Sequence, residues 1–173
     1  MEGEGKVKQV RDNYDQIISF KVGEEEYGLE ILKVKEVIRV TEITRLPKVR
    51  EFVKGVINLR GDVIPIIDLK ERFGLARQEY TDASRVIVVE IGGKSVGMVV
   101  DSVSKVIRLE SSQIEPPPEL AGGMSSRYLR GVGKLEDRLV ILIEIADLLT
   151  DDEQEELERI KSERMNVEEK AAV

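Results

Sequence analysis

No cysteine, no histidine and no tryptophan occur among the 173 residues, and only seven aromatic side chains do. Without cysteine there is no disulfide framework and no thiolate metal site. Without histidine there is no imidazole base and no zinc site of the usual kind. Together the two absences remove the commonest general base and the thiol nucleophile, while catalysis by carboxylates or lysine remains possible. The chain also lacks a run of about 18 apolar residues, so the sequence predicts no membrane-spanning helix and no direct membrane insertion. Its first residues, Met1-Glu-Gly-Glu-Gly-Lys6, carry no apolar signal stretch, which sets the expectation of a cytoplasmic protein. With 41% apolar residues and few rings, the core has to be built from valine, isoleucine and leucine.

Basic charge is scarce as well. The net charge is −7, and residues 151–173 hold nine acids against four bases, leaving 25 acids and 23 bases on the remaining 150 residues. No basic footprint for nucleic acid exists in that distribution, and single-strand binding would also want stacking rings. Among the acids, Asp12/Asp15, Asp62/Asp68, Asp101 and Asp151/Asp152 match no calcium-loop spacing, and no phosphate-binding glycine pattern occurs. They read as caps, turns and solvated charges. Asp101 interrupts an apolar run and reads as a hydrogen-bond acceptor for nearby backbone. No cofactor is implied.

What the sequence does have is β-branched runs punctuated by turns. The most distinctive stretch is Gly55-Val-Ile-Asn-Leu-Arg-Gly-Asp-Val-Ile-Pro-Ile-Ile-Asp-Leu69, in which strands over 56–59 and 63–67 flank an Arg60-Gly61 turn. Pro65 has no N–H to donate, so the return strand is expected at a sheet edge or to be bulged. Arg60 is left at the tip, either as an indifferent turn residue or as a contact arginine of the kind found at interfaces. The residues alone leave both readings open.

Residues 1–14 read as a flexible tail. A strand over 17–22, a turn at Gly23 and a strand over 26–29 follow. Ile31, Val34 and Ile38 then fall at i, i+3 and i+7 and predict a short helix, with Glu36 and Lys35 on its solvated face. Residues 49–54 suit another helical turn. Asp68-Leu-Lys-Glu71 has an N-cap form and opens a helix over 69–73, closed by Gly74; 76–83 is a polar linker. Strands are predicted over 85–91 and, after Gly92-Gly93, over 95–109 as one long bent strand. Pro116–Pro118 enforces extension, residues 121–128 are irregular or one helical turn, and a last hairpin spans 131–145 about Glu136-Asp137. Leu148-Leu149 ends the core. Thr150-Asp-Asp-Glu153 is a capping box opening a helix to about Arg164, supported by Glu155 and Arg159 at i, i+4. Its sparse apolar positions predict light docking and fraying.

The chain also repeats itself. Residues 15–40 lie on 84–109 at an offset of 69, and the 55–69 stretch lies on 131–145 at an offset of 76. Gly23/Gly92, Gly28/Gly97 and Gly55/Gly131 keep register, which matching valines alone would not prove. Arg60-Gly61 meets Glu136-Asp137, so the repeat keeps the hairpin and drops the arginine. Two small β-rich units packed together are expected, as barrels rather than one sandwich.

Four motifs, Glu26-Tyr-Gly-Leu-Glu-Ile-Leu-Lys-Val-Lys-Glu36, Phe52-Val-Lys-Gly-Val-Ile-Asn-Leu-Arg-Gly61, Val63-Ile-Pro-Ile-Ile-Asp-Leu69 and Val96-Gly-Met-Val-Val-Asp-Ser-Val103, resemble the CheW-like chemotaxis coupling family. Leu129-Arg-Gly-Val-Gly-Lys-Leu135 and the segment from Arg138 to Leu149 do so too, and the match runs from about Ile17 to Leu149. The resemblance implies a mainly β fold of two SH3-like five-stranded β-barrel subdomains packed together, with short helices and a C-terminal helix. The first barrel would take roughly 15–75 and the second roughly 84–149, with a possible exchange of strands, inside one CheW-like domain over 15–150. Residues 151–173 would form an acidic helix and tail.

The resemblance further implies a non-enzymatic adaptor, monomeric when free. It would link the regulatory domain of the CheA histidine kinase to the cytoplasmic hairpin tip of methyl-accepting chemotaxis receptors, recruited beneath the inner membrane. Kinase would dock on a face of the first barrel and receptor in an apolar groove between the barrels. By position, Ile31, Val34, Glu36, Gly55 and Arg60 fall in the contact region of the first barrel, and Gly97, Val99 and Val103 on the second barrel's side of the groove. Related domains close CheA and open the receiver-linked coupler CheV; neither a kinase nor a receiver segment fits in this length. A docking module of another two-component system, a small-barrel nucleic-acid binder and a carboxylate enzyme are the rival readings.

Overall fold

A computed structural model describes residues 14–117 and 126–172. The tail expected over the first 14 residues lies outside them apart from Tyr14, as do Pro118 and the beginning of the irregular segment expected from Ala121. Eleven strands form among the described residues: β1 (Tyr14–Val22), β2 (Glu25–Glu30), β3 (Val34–Arg39), β4 (Val53–Leu59), β5 (Asp62–Asp68), β6 (Arg85–Ile91), β7 (Lys94–Val100), β8 (Ser102–Glu110), β9 (Ile114–Glu115), β10 (Leu129–Lys134) and β11 (Leu139–Ile143). The α-helices are α1 (Leu69–Arg72) and α2 (Asp151–Ala172). The fold is mainly β, in two sheets.

One sheet has the order β8-β1-β2-β11-β10-β9 and the other β3-β6-β7-β5-β4. With β9 set aside, the internal repeat makes these orders one and the same: β1, β2, β3, β4 and β5 correspond to β6, β7, β8, β10 and β11. Even the parallel pairing agrees, since Ile66 faces Gly97 in one sheet and Leu142 faces Gly28 in the other. The matching breaks in register also agree, between Val53 and Gly55 and between Leu129 and Gly131. The six-stranded sheet takes β1 and β2 from the first half of the chain and β8 to β11 from the second, and the five-stranded sheet takes β6 and β7 from the second half and β3, β4 and β5 from the first. The hydrogen-bonded ladder closes neither sheet among the described strands.

Three apolar clusters result. The largest lies between the sheets and carries the stacked rings Phe20, Tyr27, Phe73 and Tyr128, with successive centroids 6.0, 5.0 and 5.5 Å apart. Smaller clusters fill the concave side of each sheet, one around Ile57, Ile66, Val86 and Val99 and one around Ile17, Leu109, Val140 and Leu142. Both faces of the central strands are therefore covered. That is why Val86–Val89 and Val63–Ile67 are buried without interruption where one-sided strands would alternate.

Several expectations need correction. Residues 34–39 are the strand β3, alternating half-buried and exposed, and only Ile31–Lys33 makes a 3₁₀ turn. Apolar residues at 31, 34 and 38 satisfy a helical period, but Val34, Glu36 and Ile38 equally satisfy a period of two, and β-branched residues favour that one. Residues 51–52 form a turn leading into β4, not a helical turn. The long strand expected over 95–109 is split at Asp101, and its parts join different sheets. Asp101 does serve the backbone as expected, accepting from the Gly23 N–H at 2.8 Å.

Pro65 is in neither an edge strand nor a bulged one. Strand β5 lies between β4 and β7, and its ladder to β7 begins at Ile66, one residue beyond the missing N–H. The bulge sits in the partner strand β4. The helix α2 runs past Arg164 and docks firmly rather than lightly. Leu157 and Ile160 are buried in the central core, and Arg159 meets Glu163 and Glu156, each at 4.0 Å, instead of Glu155.

Candidate docking surface around the Arg60 turn

The Arg60-Gly61 turn joins β4 to β5 with φ of 53° and 86°, the paired positive values of a type I′ hairpin. Asn58 Oδ1 accepts from the Gly61 N–H at 2.8 Å and sets the turn. This throws the Arg60 side chain clear of the body, where it is 70% exposed. It is not left over, however. Its two terminal nitrogens donate to both carboxylate oxygens of Glu36, at 3.0 and 2.5 Å.

Glu36 belongs to β3, which stands at the other end of the sheet order from β4. The five-stranded sheet curls until its two ends meet. Beside the ion pair, Thr44 makes an isolated bridge to Val56, with N···O distances of 2.9 and 3.0 Å. Gly55 lies directly beneath the Thr44 carbonyl at a φ of 140°, so a Cβ there would collide with backbone. The Arg60 guanidinium holds the Glu36 carboxyl below the ordinary carboxylate range, chiefly through the hydrogen bonds, against an opposing effect of desolvation that outweighs the further pull of its charge. The same contact raises the arginine, so both members stay charged through the neutral range.

The other anticipated residues divide by burial. Ile31 and Val34 are half-buried beside the 3₁₀ turn, next to Leu32, which at 92% exposure is the most exposed of the large apolar side chains described. Val34 and Val103 are counterparts in the repeat, on the edge strands β3 and β8, and both pack against the rim of the core between the sheets. Gly97 and Val99 lie inside the five-stranded sheet, with Val99 packed in its concave cluster. A Cβ at Gly97 would come within 2.6 Å of Ile66 Cδ1 and 2.7 Å of Val86 Cγ1. The structure thus joins Glu36 to Arg60 and packs Val34 and Val103 against the inter-sheet core from the edge strands of different sheets, while Gly97 and Val99 stay beneath the surface.

Sequence reasoning missed the pairing of Glu36 with Arg60, because placing Glu36 on a helix put it on the wrong element. It also missed Leu32, whose only signal was an apolar residue falling off the predicted helical face. Among the described residues no group of acidic side chains is arranged to hold a metal ion, and no helix is long and apolar enough to cross a membrane.

A family model described as "CheW-like domain" matches residues 16–153. The chemotaxis protein CheW of Klebsiella aerogenes is 43% identical over 138 residues, covering 80% of this chain and 83% of the relative. A probable chemotaxis protein CheW of Rhizobium etli is 34% identical over 149 residues, covering 86% and 96%. Among solved structures, the scaffolding protein TtCheW from Thermoanaerobacter tengcongensis is similar at 40% identity with a TM-score of 0.75, covering 80% of this chain and 94% of that one.

Proposed function

The chain belongs to the CheW-like domain family, and on that premise we propose that it is a non-catalytic chemotaxis adaptor that couples methyl-accepting receptors to the CheA histidine kinase. Its mechanism is simultaneous docking. The CheW-like domain takes residues 15–150, each curled sheet makes up an SH3-like barrel, and the protein works in the cytoplasm as a monomer until it is recruited. With neither histidine nor cysteine, the side chains lend themselves to holding partners together rather than to turning over a substrate.

The observation that carries the reading is the Glu36–Arg60 pair: an exposed arginine, held in one orientation by two hydrogen bonds, at the tip of a hairpin whose body is buried. An arginine fixed in this way loses little side-chain entropy on meeting a partner, which is what a recurrent contact residue requires. Glu36, Arg60 and the strand anchored by Gly55 form the kinase-facing surface. The receptor helices lie along the rim of the inter-sheet core, on Ile31, Val34 and Val103, with their apolar positions in the groove. Gly97 and Val99 act from below, by keeping the sheet thin enough to curl. Each contact is of modest area, and the assembly gains strength from multivalency.

The test is a pull-down of the purified chain with a histidine-kinase regulatory domain and with a receptor cytoplasmic fragment, separately and together. Binding of both at once is expected. A folded chain that captures neither one overturns the reading.

A further inference from the structure

The internal repeat relates two clefts that have met opposite fates. On one side, Ile91, Lys94, Val96 and Leu149 form a seat at the β6–β7 turn, and α2 lies in it through Gln154, Leu157 and Glu158, leaving a residual cavity of about 20 Å³. Their counterparts at the offsets of the repeat are Val22, Glu25, Tyr27 and Phe73, at the β1–β2 turn. There the same seat is an open cleft of about 490 Å³.

The reason lies in the residues that follow each seat. After Leu149, Thr150 caps a helix by accepting from the Glu153 N–H at 3.2 Å, while its own N–H donates to the Glu153 carboxylate at 2.8 Å. After Phe73, Gly74 takes a φ of 80° and ends α1, and the chain departs as the linker. Leu75 then only leans over Gly23, where on the other side Gln154 covers Gly92. It remains 44% exposed.

We infer that the open cleft between the β1–β2 turn and the 73–78 segment is a docking site for an amphipathic helix of a partner protein, with a basic residue beside its apolar anchor. The helical form follows from the twin, where the same backbone frame and an equivalent apolar floor receive Leu157 of a helix. The charge follows from the one reversal between the seats. In the filled seat Glu158, next to Leu157, pairs with Lys94 at 3.3 Å. The counterpart of Lys94 is Glu25, flanked by Glu24, and both are exposed. An acidic helix such as α2 from a second copy would therefore meet like charge in the open seat, while a lysine or arginine in the place of Glu158 would meet Glu25. The cleft's own cation, Lys70, is already committed to Asp101 at 2.9 Å and Gln78 at 2.7 Å, so it does not cancel the acidic rim. The cleft is separate from the Arg60 turn and from the rim of Val34 and Val103.

The test uses the isotope-labelled full chain and two synthetic peptides. One has the sequence of residues 150–164, and the other carries lysine in place of Glu153, Glu156 and Glu158. The basic peptide is expected to shift the amides of Val22–Glu25 and Phe73–Gln78 and to bind at least about tenfold more tightly than the acidic one, the order set by one well-placed charge contact. Glu25→Lys in the full chain is expected to invert that preference. Equal binding of the two peptides, shifts confined to other surfaces, no shifts at millimolar peptide, or indifference to Glu25→Lys would each overturn the proposal. So would the same amides shifting with protein concentration alone, since the occupant would then be a second copy. Kinase and receptor pull-downs by Glu25→Lys at the wild-type level keep this outcome distinct from failure of the coupling reading.

Discussion

Glu36, on one edge strand of a sheet, and Arg60, in the turn that follows the edge strand at its other end, meet through two hydrogen bonds, so an exposed ion pair marks the place where the sheet curls back on itself. Exposed pairs contribute little to stability because water screens them and two long side chains must be ordered. The neighbouring Thr44–Val56 bridge and the buried valines and isoleucines hold the curl without it.

Arg60→Ala is accordingly expected to leave the melting temperature near that of the parent while weakening assembly with kinase and receptor. Scanning calorimetry and the paired pull-down read the two effects separately. A large loss of stability with normal binding would make Arg60 a structural residue.

The pair also predicts a pH dependence. Because the folded Glu36 carboxyl titrates below its ordinary value of 4.5, its contribution is present above that value and is lost as pH falls through the lower folded value. An NMR titration should place its midpoint below 4.5 in the parent and move it upward in Arg60→Ala. An unchanged midpoint would mean that the two side chains do not pair in solution.

Gly97→Ala should be costly even though alanine is small. Its Cβ would press on Ile66 and Val86 in the concave core, an overpacking of the kind that costs about 1–3 kcal/mol. Gly61→Ala, by contrast, meets nothing within 4 Å and bears only the left-handed penalty of about 1 kcal/mol at a φ of 86°. Urea unfolding of the two variants side by side should show the larger loss at Gly97.

The C-terminal helix should depend on its cap and on its anchor to different extents. Thr150→Ala removes one side-chain acceptor and is expected to cost about 1 kcal/mol, whereas Leu157→Ala empties part of the central core and should cost about 2–5 kcal/mol. Denaturant melts of both variants check the order; equal effects would mean that Leu157 contributes no more than a surface residue.

Alkali should act through the tyrosines. Burial, with the nearby Glu25 charge, pushes Tyr27 up to about 12, and Tyr80 is raised as well, first by burial and then by donating to Asp68 at 2.8 Å. The unfolded phenols ionise near 10, so stability is intact below that value and falls as pH rises toward the folded values. Tyr80→Phe should flatten part of that fall in a pH series of melts, and an identical slope in parent and variant would contradict the assignment.

Much of the fold was legible because it is local. The positive φ values at Gly23, Gly61, Gly74 and Gly92 are turn chemistry, and glycine announces it. Asp68 and Thr150 announce helix starts by the same logic, each placing an oxygen where an orphan N–H needs it. The repeat was legible because its glycines are packing requirements: Gly28 and Gly97 both let a buried side chain from a neighbouring strand close over the backbone.

Much of the site was not. Glu36 lay hidden because the four-residue spacing of Val34 and Ile38 puts both on one face of a strand and of a helix alike over so short a run. The partner of Arg60 lies 24 residues away, at a distance no period encodes.

The amino-acid sequence by itself determined the hairpin strands and their turns, which depend on neighbours a few residues apart, and with them the duplicated unit and the absence of histidine and thiol chemistry. Only the tertiary structure decided that the halves exchange strands, that Arg60 is held by Glu36, and that of two equivalent clefts one is filled and the other open. Those outcomes rest on which distant edges pair once the apolar faces are buried, and a strand's hydrogen-bonding edge does not specify its partner.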